Sequence, residues 1–269
     1  MDKQRKQSQF RMKKQYGQNF LRDENILAKI VNVANVSEDG LIVEIGPGAG
    51  ALTKRLAATG NNILCYEIDE ELRLVLNEKF GACSNVKFIF TDFMKRDVLV
   101  DLQSYSYRSL YIIANLPYYI TTPILSKIIE DKLPVTRMIL MVQKEVADRL
   151  SATIKTKDYN AFTVFIHYYF KVKKVMNVSR HVFYPEPNVD SAVVCFDRRD
   201  VPLVEVKDED GFFQFVRDCF RFKRKNLRNN LKDYDFKKIE VVLNRYGYDL
   251  TVRAEALSIP ILADLYNNL

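Results

Sequence analysis

The chain has 269 residues, 48% hydrophobic and 28% charged, a composition that excludes disordered and fibrous classes. No apolar run approaches the roughly 18–20 residues of a membrane helix, and the basic start lacks the apolar segment of a secretory signal. The formal net charge of +7 is concentrated: residues 1–22 hold seven cations against one acid, 217–228 hold six against one, and the remainder is net acidic. Two such foci read as an electrostatic footprint for a polyanion, with two solvated faces as the alternative.

In chain order, residues 1–15 are polar, basic and aperiodic, which predicts a flexible arm. A helical pattern follows through Ile26, Leu27, Ile30, Val31 and Ala34 and stops near Asp39-Gly40, a turn signal. Short apolar runs at Leu41–Ile45, Ile63–Ile68, Val86–Phe90, Leu110–Ala114 and Arg137–Val142 then predict five strands. Helical segments alternate with them at Ala51–Thr59, Glu70–Phe80, Ile124–Ile129 and Glu145–Leu150. This alternation predicts an α/β fold with a doubly wound, Rossmann-like, mostly parallel sheet. Phe162–Val178 and Val189–Phe196 read as β-rich, joined by the proline loop Phe183-Tyr184-Pro185-Glu186-Pro187. The charge-rich stretch Arg198–Asp208 marks a boundary, giving an α/β domain over 16–200 and a small all-helical domain over 205–269. In the latter Phe212, Val216, Cys219, Leu227 and Leu231 fall near helical spacing, Ile239–Tyr246 adds a segment, and Ala254–Leu265 adds another broken by Pro260.

Cys65, Cys83, Cys195 and Cys219 are widely spaced, and His167 and His181 are the chain's two histidines, so no zinc-ligand spacing exists and no metal is expected. Scattered thiols without an export signal fit a reducing, cytoplasmic setting. No self-association stripe appears, so a monomer is expected, with no membrane partner.

The chemistry gathers at strand ends. Glu44-Ile45-Gly46-Pro47-Gly48-Ala49-Gly50 lies between a strand and a helix, where a doubly wound sheet holds its ligand. Its spacing is G-x-G-x-G rather than the dinucleotide G-x-G-x-x-G, and Pro47 removes an N–H that a phosphate would use. Both features favour a nucleoside cofactor without phosphates; a plain tight turn is the alternative. Glu67, in Glu67-Ile68-Asp69, lies 21 residues after Gly46, close to the roughly 20-residue offset at which an acid meets ribose hydroxyls. Asp92, beside Phe93, offers a second carboxylate for an adenine amino group. Three strand ends bearing the chemistry of S-adenosylmethionine binding make that cofactor the expectation.

The fourth strand ends in Asn115-Leu116-Pro117-Tyr118. An exocyclic adenine amine is a poor nucleophile because its lone pair is delocalised into the ring. The Asn115 side-chain oxygen and the Leu116 carbonyl can accept its two N–H groups and turn the lone pair toward a methyl donor. Pro117 stiffens the turn, and Tyr118 can stack on a base drawn out of its helix. Phe183 in the proline loop could clamp the base's other face or be an ordinary core phenylalanine. Arg217, Arg221, Arg224, Lys225 and Arg228 are the candidate phosphate contacts, with Arg221, Lys225 and Arg228 at i, i+4 and i+7 as one expected helical stripe.

Together with Gly17-Gln18-Asn19-Phe20-Leu21, Ile120-Thr121-Thr122-Pro123, Gln143-Lys144-Glu145-Val146, Phe183–Val194 and Arg224–Asn229, these motifs resemble the ribosomal RNA adenine dimethyltransferase family, in particular its small-subunit (KsgA or RsmA) branch. The resemblance runs from about residue 16 to the end. It implies an S-adenosylmethionine pocket lined by Asn19, Leu21, Gly46, Glu67, Asp92 and Asn115, with Gly48, Ile68 and Phe93 beside them. It implies a target base engaged by Asn115, Tyr118 and Phe183. It further implies N6-dimethylation of two adjacent adenosines in a hairpin loop near the 3′ end of small-subunit rRNA, within a pre-ribosomal particle. Tyr119 stands where many relatives carry Asn. The competing branch is the Erm enzymes of large-subunit rRNA, from which Asn-Leu-Pro-Tyr, Val189-Asp190-Ser191-Ala192 and the Arg224–Asn229 run separate this chain. A non-catalytic RNA-binding assembly factor is a further alternative, opposed by the intact Asn115–Tyr118 loop and Glu67.

Overall fold

The computed structural model describes residues 19–269. The basic arm expected over 1–15, and Gly17-Gln18 of the first motif, lie outside the described residues. By packing, the chain divides into two compact units: one runs to Lys144 and adds Val175–Cys195, the other holds Glu145–Lys174 and Phe196–Leu269.

The first unit opens with the two-residue strand β1 (Phe20–Leu21) and helix α1 (Glu24–Ala34), capped by Asp23, whose carboxylate accepts from the Asn25 and Ile26 N–H groups. Then come β2 (Gly40–Ile45), α2 (Ala51–Ala57), β3 (Asn62–Glu67), α3 (Arg73–Phe80), β4 (Val86–Phe90), α4 (Val98–Leu102), β5 (Ser109–Asn115), α5 (Thr121–Glu130) and β6 (Val135–Gln143). Each of the five strands read from the sequence forms within two residues of its expected bounds. The pairs β2–β3, β3–β4, β2–β5 and β5–β6 are all parallel, so crossover helices cover the sheet. Every residue of β2 is buried, which explains its apolar run, interrupted only by Glu44, in place of alternation. With β7 (Phe170–Val178) and β9 (Ser191–Arg198) the sheet has seven strands in the order β4-β3-β2-β5-β6-β9-β7. Strand order reverses between β2 and β5, the switch point at which such sheets bind ligands. A separate antiparallel pair joins β1 to β8 (Phe183–Tyr184), with Leu21 opposite Phe183.

The second unit is built on α6 (Lys144–Leu150), α7 (Ala161–Tyr169), α8 (Glu209–Cys219), α9 (Leu227–Asn230), α10 (Phe236–Arg245) and α11 (Ile259–Asn267). Its core gathers Val164, Tyr168, Phe212, Phe215, Leu243 and Leu262. Rings interlock at the centre: Phe165 meets Phe213 edge-on at 4.9 Å and Tyr168 meets it at 5.1 Å.

Four readings of the sequence change. The first half of Phe162–Val178 is helix α7, not strand: Asn160 accepts from the Phe162 and Thr163 N–H groups while Thr163 Oγ1 accepts from Asn160 N–H. This capping box, and a core for the aromatic face, outweigh the β propensity of the aromatic-rich run. The stretch 217–228 is not one helix, because α8 stops at Cys219 and a turn intervenes before α9. Pro260 begins rather than breaks a helix, standing in the first turn of α11, where its missing N–H costs no intrahelical bond. Finally, the break at 200–205 follows the charge-rich stretch, whereas packing groups 145–174 with the carboxy-terminal helices, because Tyr159, Val164 and Tyr168 share their core.

Candidate active site

A cleft opens at the switch point, in the first unit, where the ends of β2, β3 and β5 meet. Its walls come from Asn19–Leu21, Gly46–Ala49 with Ala51 and Leu52, Glu67-Ile68, and Asn115–Tyr119, with Leu27, Ile30 and Met141 supplying apolar floor. Thus Asn19, Leu21, Gly46, Gly48, Glu67, Ile68 and Asn115 of the expected cofactor set share one cavity with Leu116, Pro117 and Tyr118 of the expected reaction set.

The glycine loop fits closely for steric reasons. Gly48 has φ +57°, and a Cβ there would lie 2.8 Å from the Phe20 ring, so a side chain would meet both strain and a clash. Glu67 is buried and pinned: one carboxylate oxygen accepts from Gly48 N–H at 2.9 Å, the other from Asp69 N–H at 2.9 Å. Burial raises its carboxyl above the usual range, and these backbone donors partly offset the shift. A carboxylate has about four acceptor positions, so these backbone donors leave it capacity to accept a further hydrogen bond.

Glu44, in the same motif but given no role by the sequence, is also buried and lines the cleft. Thr53 Oγ1 donates to it at 2.7 Å and Cys65 Sγ at 3.6 Å, and burial pushes its carboxyl up to about 7. The signal for it was available: an acid inside the otherwise apolar strand Leu41–Ile45.

The Asn115–Tyr118 loop is held from three sides. Asn115 Nδ2 donates to the Asn19 carbonyl at 3.2 Å, so the other pole of the amide, Oδ1, is an acceptor. Leu116 N–H donates to the Met141 carbonyl at 3.1 Å and Ile120 N–H to the Pro117 carbonyl at 3.2 Å. The half-buried Tyr118 hydroxyl lies 2.9 Å from buried Ser191 Oγ. Burial raises the Tyr118 phenol, which therefore stays neutral. Tyr119, at the cleft mouth, is 59% exposed. The Ser191 partner was invisible in the sequence, since 73 residues separate the two side chains.

Three expected site residues stand outside this lining. Asp92 accepts from Met94 N–H at 2.9 Å and faces Lys95 at 4.0 Å. Phe93 is buried edge-on against Tyr66, with ring centroids 5.3 Å apart. Phe183 is buried in the core of the first unit.

In the second unit, Arg217 on α8 donates to Gln214 Oε1, and Arg221, Arg224, Lys225 and Arg228 are all exposed. The spacing i, i+4, i+7 does not make them one helical face, because residues 220–226 form a turn. Among the described residues, no group of three or more His, Cys, Asp and Glu side chains could hold a metal ion, and no helix is long and apolar enough to cross a membrane.

The sheet order, the glycine loop beside Glu67 and the amide at the end of β5 define a Rossmann-like methyltransferase. The family described as ribosomal RNA adenine dimethylase matches residues 9–268, and the chain belongs to that family. It is 45% identical over 265 residues to the ribosomal RNA small subunit methyltransferase A of Streptococcus thermophilus, spanning 95% of this chain and 91% of that protein. The protein of the same name from Oceanobacillus iheyensis is 42% identical, over 96% of this chain and 90% of its own length. Among solved structures, a dimethyladenosine transferase from Plasmodium falciparum superposes with TM-score 0.77 at 25% identity, over 91% of this chain and 95% of that one. The 23S rRNA methyltransferase ErmE gives TM-score 0.75 at 27% identity, over 93% and 99%.

Proposed function

We propose that this rRNA adenine dimethyltransferase acts on small-subunit rRNA, placing two methyls on N6 of each of two adjacent adenosines in the hairpin loop near its 3′ end. In this reading it works as a monomer in the cytoplasm, on an assembling small subunit. The observation that carries the proposal is Asn115: its amide is oriented by the Asn19 carbonyl, at the end of β5, in the same cleft as Glu67.

S-adenosylmethionine supplies an electrophilic methyl when bound, and the donor set suits it. Glu67 offers acceptors for ribose hydroxyls, the glycine loop admits close backbone approach, and the apolar floor needs no phosphate partner. Asp92 would take the adenine amino group from the next strand end, with Phe93 beside it; β4 lies alongside β3 with Phe90 opposite Glu67.

The Asn115 Oδ1 and the Leu116 carbonyl accept the two N–H groups of the target amine, holding its lone pair toward the cofactor side. Tyr118, fixed through Ser191, supplies a neutral ring for the base to lie on, and Phe183 would close the opposite side. Catalysis is then chiefly positioning for in-line displacement, with no strong base required. The exposed cations of 217–228 hold RNA phosphates.

The large-subunit reading is weaker, because identity to the small-subunit enzymes is 42–45% against 27% for the 23S enzyme. The test uses purified protein, labelled cofactor and ribosomal particles from a strain lacking the gene. Label is expected in small-subunit rRNA as N6,N6-dimethyladenosine at two neighbouring positions. Label in large-subunit rRNA alone would sink the assignment.

A further inference from the structure

Phe222 takes no part in the chemistry above, yet it sits at the centre of the second basic focus. It lies in the turn between α8 and α9 and is 56% exposed, while Arg221, Lys223, Arg224 and Lys225 around it are exposed as well. Single exposed apolar residues are common, so exposure alone decides nothing. What distinguishes this ring is the frame that holds it. Asn230, buried at 6% exposure, accepts from Phe222 N–H at 3.1 Å and donates to the Cys219 carbonyl at 2.7 Å. Lys225 N–H donates to the Phe222 carbonyl at 2.8 Å, closing the turn. A buried amide thus fixes the backbone on which an exposed aromatic ring stands among four cations.

We propose that Phe222 is a stacking platform for an unpaired nucleobase, in an RNA strand whose phosphates the neighbouring cations hold. This rests on the reading of 217–228 as an RNA-binding segment and adds to it a preference for single-stranded over paired RNA. An apolar protein surface laid on the ring would have to desolvate the cations on both sides of it. An unpaired nucleotide brings a flat apolar face and a phosphate together, matching the alternation of the turn. Every base has such a face, so the ring reads strandedness rather than sequence.

The chain contains no tryptophan, so Phe222→Trp creates a lone indole at the site, excited selectively at wavelengths beyond the absorption of the 15 tyrosines. The probes are a short RNA hairpin with an unpaired loop and a blunt RNA duplex of equal length. The hairpin is expected to quench emission and the duplex to leave it unchanged. Phe222→Ala should weaken hairpin binding about tenfold without altering its salt slope, since every cation that meets a phosphate is kept, and Phe222→Tyr should restore it. Replacing Arg221, Lys223, Arg224 and Lys225 by Gln is the control for the underlying reading. If that variant loses affinity and slope while Phe222→Ala binds as the parent does, the cationic segment stands and the stacking proposal alone is overturned. If the Gln variant binds unchanged, both fall. Unquenched emission at saturating hairpin, or a response to RNA-free small-subunit proteins instead, also overturns it. Matching circular dichroism and melting midpoints establish that each variant is folded; the Tyr and Trp variants carry the comparison if the Ala variant is not.

Discussion

Asn115 carries a donor and an acceptor on one amide. Its nitrogen donates to the Asn19 carbonyl, and in the function proposed above its oxygen accepts from the target amine. Asn115→Ala should therefore keep most cofactor affinity and lower turnover on the order of 100-fold, since it removes positioning of the amine. Equilibrium cofactor binding and kcat measured side by side decide this; parallel losses would make Asn115 chiefly a cofactor residue. Glu44 makes a different prediction. Its carboxyl titrates near 7 when folded, against an ordinary value of 4.5, so the folded state holds the proton more tightly. That contribution is fully present below about pH 4.5 and is lost as pH rises through about 7. Ligand-free protein should lose stability between pH 5 and 8, by about 3 kcal/mol at most, and Glu44→Gln should flatten the fall. Parallel thermal-melt profiles for parent and variant would contradict it. Glu67 and Asn115 were legible in the sequence because a strand end fixes where a side chain must lie. Glu44 showed in the sequence only as an acid inside an apolar strand; its partners Thr53 and Cys65 are set by the fold.

The basic segment shows at the scale of the element how charge and conformation separate. Composition alone located the cations of 217–228, and all five expected RNA-binding side chains are exposed or on the α8 surface. Helical spacing misassigned their geometry, because Asn230 closes a turn after Cys219 that no period anticipates. Neutralising Arg221, Lys225 and Arg228 should still lower the magnitude of the slope of log Kobs against log salt by roughly 2 to 3, at about 0.7–0.9 for each phosphate no longer neutralised. Titrations of RNA binding across salt concentrations measure this, and an unchanged slope would make them merely solvated. Helix α7 carries the complementary lesson. Its residues favour strands by type, and a cap at Asn160 with an aromatic core decided for helix.

For the whole molecule, the second unit depends on an aromatic core to which both α7 and α8 contribute. Phe212 is fully buried there, against Tyr168, Phe213 and Tyr266. Phe212→Ala should cost about 3–5 kcal/mol, read as a lower denaturation midpoint by chemical unfolding. A drop of under about 1 kcal/mol would mean that the cavity collapses freely.

The sequence by itself determined the doubly wound sheet, the strand ends that carry chemistry and the places where positive charge collects, because each is written in local period, spacing or composition. Only the tertiary structure decided that residues 145–174 pack with the carboxy-terminal helices and that Ser191 anchors Tyr118. It likewise decided that Asn19 orients an amide 96 residues away, and that Phe93 and Phe183 are buried in packing. The reason is physical: period and propensity act over a few residues. Pairings between distant segments are chosen by which surfaces can be buried together and which polar groups must then find partners.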